Sequence, residues 1–87
     1  MPRISAFHGI VIYMYWNEAD HPVPHFHAHH GGDRASVSVD GRILAGDLDP
    51  QSLRFAQAWA RLHRDELFGN WERARRLEPL LPIDPLP

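Results

Sequence analysis

Histidine is the residue type whose number and spacing could do chemistry in this sequence. Five of the seven histidines fall between His21 and His30, and His25, His27 and His29 alternate with other residues. Side chains alternate between the two faces of a β-strand, so these three would line one face about 6.5–7 Å apart. Neighbouring imidazoles can then share a transition-metal ion, since their nitrogens bind zinc at about 2.0–2.1 Å. The spacing predicts a zinc or nickel site with a position left for water.

Residues on either side of this array could complete it or replace the metal. His21 is delivered by a proline-containing loop and would be a fourth ligand. Histidine titrates near neutral pH, so His25 with Asp33 or Asp20 could instead form a general base and its orienting carboxylate. The catalytic candidates of such a site are His25, His27 and Asp33. A simpler alternative is that the histidines face solvent or a partner, as polar side chains do on edge strands.

The first half of the chain has the period of β-strands. Residues 10–16 are rich in β-branched and aromatic side chains and predict a strand with Trp16 on the same face as Ile10. Residues 25–30 and 34–39 alternate in the same way. Asp40-Gly41 predicts a tight hairpin, with residues 42–45 as the return strand.

The second half has a helical period. Asp49 is a good N-cap and Pro50 fits the first helical position, where its missing N–H costs nothing. Gly69-Asn70 predicts the end of this helix, and residues 71–77 predict a second, short one. An apolar stripe would face the core, formed by Leu53, Ala56, Trp59, Ala60, His63 and Leu67.

These elements predict an α+β fold in a single domain, residues 1–87. Residues 1–46 are mainly β, with a small antiparallel sheet of three to five strands, and residues 47–77 form two helices packed on one face. Residues 78–87 contain four prolines among apolar residues, so we expect an extended tail that lies along the body or a partner.

Composition excludes several classes of protein. The chain has no cysteine, which rules out disulfides, cysteine zinc sites, iron–sulfur clusters and thiol catalysis. There is no signal peptide and no apolar run of about 18 residues, so we expect a cytoplasmic protein without membrane association. A net charge of −2 gives no general attraction to nucleic acid.

All nine basic residues are arginines, and those of the helical half could form a local basic patch. The simpler interpretation of these arginines is a solvated helical face. The more specific hypothesis is that they bind an acidic partner or a phosphate backbone. The partner-binding candidates are Arg61, Arg64, Arg73, Arg75 and Arg76. On the strand side, Tyr13, Tyr15 and Trp16 could stack on the bases of a single-stranded nucleic acid.

The order of several short segments resembles the bacterial domain-of-unknown-function family 4160. The most specific is Pro24-His25-Phe26-His27-Ala28; the others include Gly9-Ile10, Met14-Tyr15, His21, Trp59, Leu62-His63, Glu66-Leu67, Asn70-Trp71 and Pro79-Leu80. If this family has a metal or catalytic site, the resemblance implies His21, His25 and His27 as its members. His29-His30 departs from the family pattern, so His29 would be particular to this chain.

Two functional hypotheses follow. Genes of this family often lie beside those of a second domain of unknown function, numbered 2442, which implies a regulatory or toxin–antitoxin-like component that acts through a small protein partner encoded nearby. A free sheet edge would also allow a homodimer. The alternative is a histidine-rich, metal-dependent hydrolase acting on RNA. Neither the substrate nor the toxin or antitoxin role follows from the sequence.

Overall fold

The computed structural model describes residues 2–18 and 21–87 and shows a five-stranded antiparallel sheet followed by two helices. The strands follow one another in space as they do in sequence, β1-β2-β3-β4-β5. This confirms the predicted α+β class. The elements are β1 (Arg3–Phe7), β2 (Ile10–Tyr13), β3 (His25–His30), β4 (Asp33–Ser38), β5 (Ile43–Gly46), α1 (Pro50–Leu62) and α2 (Arg64–Arg75), with a 3-10 turn at Trp16–Glu18 between β2 and β3.

One face of the sheet forms the hydrophobic core with α1. Paired residues share a face, and Ile12, Ala28 and Ala35 stand opposite one another on three neighbouring strands. All three are buried, and the fully buried ring of Trp59 lies 5.4 Å from that of Phe26. Burying side chains of this size stabilises the fold by roughly 1.5–3 kcal/mol each, so this layer fixes how the sheet and helix are placed.

The opposite face of the sheet, called the open face below, carries the alternating histidines. Tyr13, His27 and Ser36 stand opposite one another across β2, β3 and β4. His29 pairs with Arg34 in the next row of the same face. The alternation therefore places His25, His27 and His29 on one face, as the period of two predicts.

The first strand pair differs from the sequence prediction at both ends. The strand predicted over residues 10–16 ends at Tyr13, and the side chain of Trp16 is 38% exposed in the 3-10 turn rather than on the core face. β2 ends where its partner strand begins: Tyr13 pairs with Arg3, the first residue of β1, and one further bond joins the Met14 N–H to the Pro2 carbonyl. Residues 3–7 form β1, a strand that was not predicted from the sequence.

The helices divide at a different point from the one predicted. Asp49 is the N-cap as predicted and accepts a hydrogen bond from the Ser52 backbone N–H at 3.0 Å. The first helix, however, ends before His63, and the predicted stop at Gly69-Asn70 is wrong because both residues lie inside α2. The side-chain amide of Asn70 is buried and bonded to the tail, so this residue does not compete with the helix backbone.

The proline-rich tail lies extended against the body. Asn70 Nδ2 donates to the Leu81 carbonyl and Asn70 Oδ1 accepts the Leu81 N–H, both at 2.9 Å. Ile83 donates its backbone N–H to Ile4 in β1 at 2.8 Å, and Trp59 Nε1 donates to Asp84. The tail thus covers the β1 edge of the sheet, whereas every residue of β5 at the other edge is exposed.

None of the helices in the described residues is long and apolar enough to cross a membrane.

Candidate metal centre

Three side chains on and beside the open face come together in one cluster. Glu18, His25 and His27 each offer one ligand atom, and these atoms all lie within 4.8 Å of one another. His25 and His27 belong to the first half of β3, and Glu18 is the last residue of the 3-10 turn that precedes it. We call these three residues the Glu–His–His cluster.

The carboxylate of Glu18 bridges the two imidazoles. Its Oε1 atom lies 2.6 Å from His27 Nε2 and 3.3 Å from His25 Nε2. His25 is 4% exposed, His27 19% and Glu18 33%, so the cluster opens to solvent on the Glu18 side. The rings of His25 and Trp71 are 5.2 Å apart, and this contact closes the inner side.

The backbone sets the tautomer of the neutral His25 ring. Its Nδ1 atom lies 2.8 Å from the Val23 carbonyl oxygen, which can only accept, so Nδ1 carries a proton. In the neutral imidazole the Nε2 atom is then a bare lone pair, and it faces another acceptor, Glu18 Oε1. Two acceptors at that distance are compatible with a second proton or with a cation between them.

His27 has a more adaptable partner. Its Nδ1 atom lies 3.3 Å from the Ser36 hydroxyl, which can donate or accept a hydrogen bond. The ring can therefore donate from Nε2 to Glu18, or donate from Nδ1 to Ser36 and leave Nε2 free to bind a metal. The two histidines share the arrangement of metal-binding imidazoles, whose second nitrogen is oriented by an outer partner.

The predicted ligand His21 lies beside the cluster and contacts the backbone of its own loop. Its ring is 4.9 Å from that of His25, edge to face. Its Nδ1 atom lies 3.1 Å from the backbone nitrogen of Val23 and 3.3 Å from the Val23 carbonyl oxygen, so the ring is engaged by its own loop. Among the described residues, the metal-type cluster has three members and His21 is not one of them.

His29 and Asp33 are placed farther along the open face and the β3–β4 hairpin. The ring of His29 packs 4.7 Å from that of Tyr13. Burial, then the nearby Arg34 cation and His27, lower the pKa of His29 below its usual value. His29 is two residues from His27 on the same strand. It is not a member of the metal-type cluster found among the described residues.

The predicted pairing of His25 with Asp33 is not formed. Asp33 stands opposite His30, whereas His25 stands opposite Ser38 at the other end of the same strand pair. Asp20, the other carboxylate proposed for this role, lies outside the described residues. The carboxylate that reaches the histidines is Glu18, which the sequence analysis did not single out.

A shallow depression of about 350 Å³ opens on the open face beside His27. Its lining includes Tyr15, Arg34 and Ser36. A larger groove of about 770 Å³ runs past the other side of the cluster, with Trp16 and Phe68 among its apolar walls.

The arginines predicted to bind a partner are distributed over the helical half. Arg75 pairs with Glu72 at 3.2 Å, one helical turn away. Arg64 lies 5.0 Å above the ring of Phe68. Both contacts are within α2 and leave the guanidinium groups at the surface, so the binding role of these residues stays a prediction: Arg61, Arg64, Arg73, Arg75 and Arg76.

The fold and cluster together define a small α+β domain with a carboxylate and two histidines joined at the edge of an open sheet face. Residues 9–72 match the family described as "Domain of unknown function (DUF4160)", and the chain belongs to this family. The matched region includes all three residues of the cluster. No curated protein and no solved structure matches the chain.

Proposed function

We propose that the protein is a metal-dependent hydrolase whose centre is the Glu–His–His cluster. The observation that carries this proposal is the approach of His25 Nε2 to Glu18 Oε1 at 3.3 Å while His25 Nδ1 is committed to Val23. A divalent cation between the two atoms would give two metal–ligand bonds at a contact that otherwise needs a second proton on the ring. Two histidines and one carboxylate form the ligand set of several catalytic zinc sites, which supports zinc as the ion.

The chain's own residues supply the orientation that such a centre needs. The Val23 carbonyl holds the His25 ring, and the Ser36 hydroxyl can hold the His27 ring by accepting from Nδ1. Three protein ligands leave one position open, where a bound ion would lower the pKa of a water to about 7 and make it a nucleophile at neutral pH. The partial exposure of Glu18 and His27 lets a substrate reach that position.

Metal binding is tested with untagged protein stripped by EDTA and dialysed against zinc. We expect one zinc per chain, and Glu18→Gln and His27→Gln should each weaken zinc binding about 10- to 100-fold or more. The control is His63→Gln, because His63 forms another His–Glu contact, 2.6 Å from Glu66, to which the described part of the chain adds no third ligand. Equal zinc binding by wild type and both cluster variants would refute the centre.

Hydrolysis is tested separately with bis(p-nitrophenyl) phosphate as a general probe. We expect release of p-nitrophenol that EDTA abolishes, zinc restores and Glu18→Gln removes. Turnover that survives EDTA but requires His27 would refute the metal and assign acid–base catalysis to the His27–Glu18 pair.

A second candidate is a regulatory or toxin–antitoxin-like role exerted through a small protein partner encoded nearby. The groove of about 770 Å³ supports it, since three of its lining residues, Trp16, Phe68 and Leu77, are exposed large apolar side chains. Co-expression with the product of the neighbouring gene should then give a stoichiometric complex that Leu77→Asp disrupts. A complex unaffected by Leu77→Asp would refute the groove as the binding site of the partner.

A further inference from the structure

Aromatic rings form a continuous row on the open face beside the Glu–His–His cluster. The rings of Tyr13 and Tyr15 are 6.2 Å apart with only 6° between their planes. Each contacts a histidine of β3 at 4.7 Å between ring centroids, Tyr15 with His27 and Tyr13 with His29. Both tyrosines are half-buried and keep part of their side chains accessible. Accessible aromatic rings on sheet faces stack the splayed bases of single strands, and this stacking tolerates any base.

Arginine side chains stand on the same face as these rings. Arg34 lines the depression together with Tyr15 and His27, and its charge acts on both Tyr15 and His29. Arg3 stands opposite Tyr13 in the register and therefore shares its face. The open face thus has two arginine side chains that can bind a phosphate, although the whole chain has a net charge of −2.

The depression has the size of a site for one nucleotide unit. Its volume of about 350 Å³ lies at the lower end of the range of ligand sites, roughly 300–1,000 Å³. His27 belongs both to this depression and to the Glu–His–His cluster. A group seated against Tyr15 and Arg34 is therefore next to the atoms that would do the chemistry.

We propose that the open face binds a single-stranded nucleic acid, with a base stacked on Tyr15 and the adjoining phosphate on Arg34. Single-stranded nucleic acid would then be the substrate class of the proposed hydrolase. Binding does not depend on that proposed function, and only the cleavage step rests on it. In that step the oxygen of a water bonds to phosphorus, the bond from phosphorus to one ester oxygen breaks, and the proton that the water loses ends on the leaving oxygen. A duplex is a poorer ligand because its stacked bases cannot reach the rings.

The binding step is tested in EDTA, where no metal contributes. Fluorescence anisotropy would measure the affinity of the full chain for fluorescein-labelled oligouridine, for oligothymidine and for a duplex of the same length. We expect both single strands to bind more tightly than the duplex, and preference between the first two tells RNA from DNA. Tyr15→Leu should weaken binding about fivefold or more, whereas Tyr15→Phe, which keeps the ring, should change it little.

Arg34 is tested through the salt dependence of binding. Arg34→Gln should weaken oligouridine binding and reduce the slope of log affinity against log salt by about 0.7, the contribution of one phosphate contact. Arg54→Gln, an exposed arginine of α1, is the matched control and should leave the slope unchanged. Near-ultraviolet circular dichroism verifies that each variant is folded.

The outcomes separate this proposal from the proposed hydrolase. Absence of single-strand binding by the wild type, or equal binding by wild type, Tyr15→Leu and Arg34→Gln, overturns the nucleic-acid proposal even if zinc binds at the cluster. Binding that requires Tyr15 and Arg34 upholds it even if the chain takes up no zinc, in which case the hydrolase proposal alone fails.

Discussion

The Nδ1 atom of His25 lies 2.8 Å from the carbonyl oxygen of Val23, two residues earlier in the chain. Pro22 and Pro24 flank that carbonyl and restrict the backbone around it to extended conformations. The loop therefore sets the tautomer of the imidazole before any ligand arrives, and Nε2 is directed towards Glu18 as an acceptor. The centre is prepared for a cation by the backbone as well as by its side chains.

Substitution of Gly46 should be among the most damaging single changes in the sheet. Its φ is +77°, and an added Cβ would lie 2.2 Å from the Arg34 carbonyl oxygen. Gly46→Ala should therefore cost about 1–3 kcal/mol from backbone strain alone, with the collision in addition. Gly32→Ala is the control, because a Cβ there meets no atom within 4 Å. Urea unfolding measures both, and equal stabilities would contradict the geometry at the β4–β5 pair.

The N-cap of α1 should make stability depend on acid pH. Hydrogen bonds from the Ser52 side chain and backbone, with help from His30, hold the pKa of Asp49 below its usual value. A carboxylate with a lowered folded pKa adds stability above its unfolded pKa of about 3.9, and this stability is lost as pH falls through the folded value.

Asp49→Asn keeps the cap but removes the charge, so it should flatten this part of the pH profile, while Asp49→Ala should also lower Tm at neutral pH. Thermal unfolding between acid and neutral pH is the measurement. A wild-type profile that is identical to that of Asp49→Asn would show that the carboxylate charge plays no part.

The attachment of the tail should depend on Asn70. Asn70→Ala removes two hydrogen bonds to the Leu81 backbone, which we expect to cost about 1–3 kcal/mol. Amide exchange at Leu81 and Ile83 should accelerate, since both N–H groups are bonded within the tail contacts. Asn17→Ala, at an exposed asparagine, should change neither. Unaltered exchange in Asn70→Ala would mean that Ile83 and Asp84 hold the tail without it.

His29 should titrate below the usual histidine range. Burial is the main cause of its lowered pKa, and Arg34 and His27 add to it. Because the unfolded chain binds this proton more readily, His29 should reduce stability as pH falls through about 6.5. Nuclear magnetic resonance titration measures its midpoint, which Arg34→Gln should raise only in part, since burial remains. A midpoint at or above the usual value would contradict the described packing.

Local signals in the sequence were enough to place much of the fold. Alternation predicted β3 and β4, and the Asp40-Gly41 turn and the Asp49-Pro50 start of α1 are where the sequence indicated them. The boundaries of β2 and α2 were predicted wrongly because they depend on contacts with segments that are distant in the sequence. The end of β2 at Tyr13 follows from the length of β1, and α2 continues through Asn70 because the tail satisfies its amide.

The site was predictable to the extent that it follows the strand period. The period of two brought His25 and His27 to one face, but it says nothing about Glu18, which lies in the 3-10 turn outside the strands. The sequence did contain a signal for Glu18. The connection from β2 to β3 must end at the start of β3, where His25 and His27 lie, and Glu18 is a carboxylate in this connection. The contacts that His21 makes with the Val23 backbone could not be predicted from residue spacing.

Zinc bound to the protein in a crystal would show whether the Glu–His–His cluster is a metal centre. Crystals of the metal-stripped protein, soaked with zinc, would be measured on both sides of the zinc absorption edge. The account predicts an anomalous peak about 2.0–2.2 Å from Glu18 Oε1, His25 Nε2 and His27 Nε2, with His25 Nδ1 still bonded to Val23. A crystal in which zinc occupies His8 or His63 and leaves the Glu–His–His cluster without a peak would contradict it.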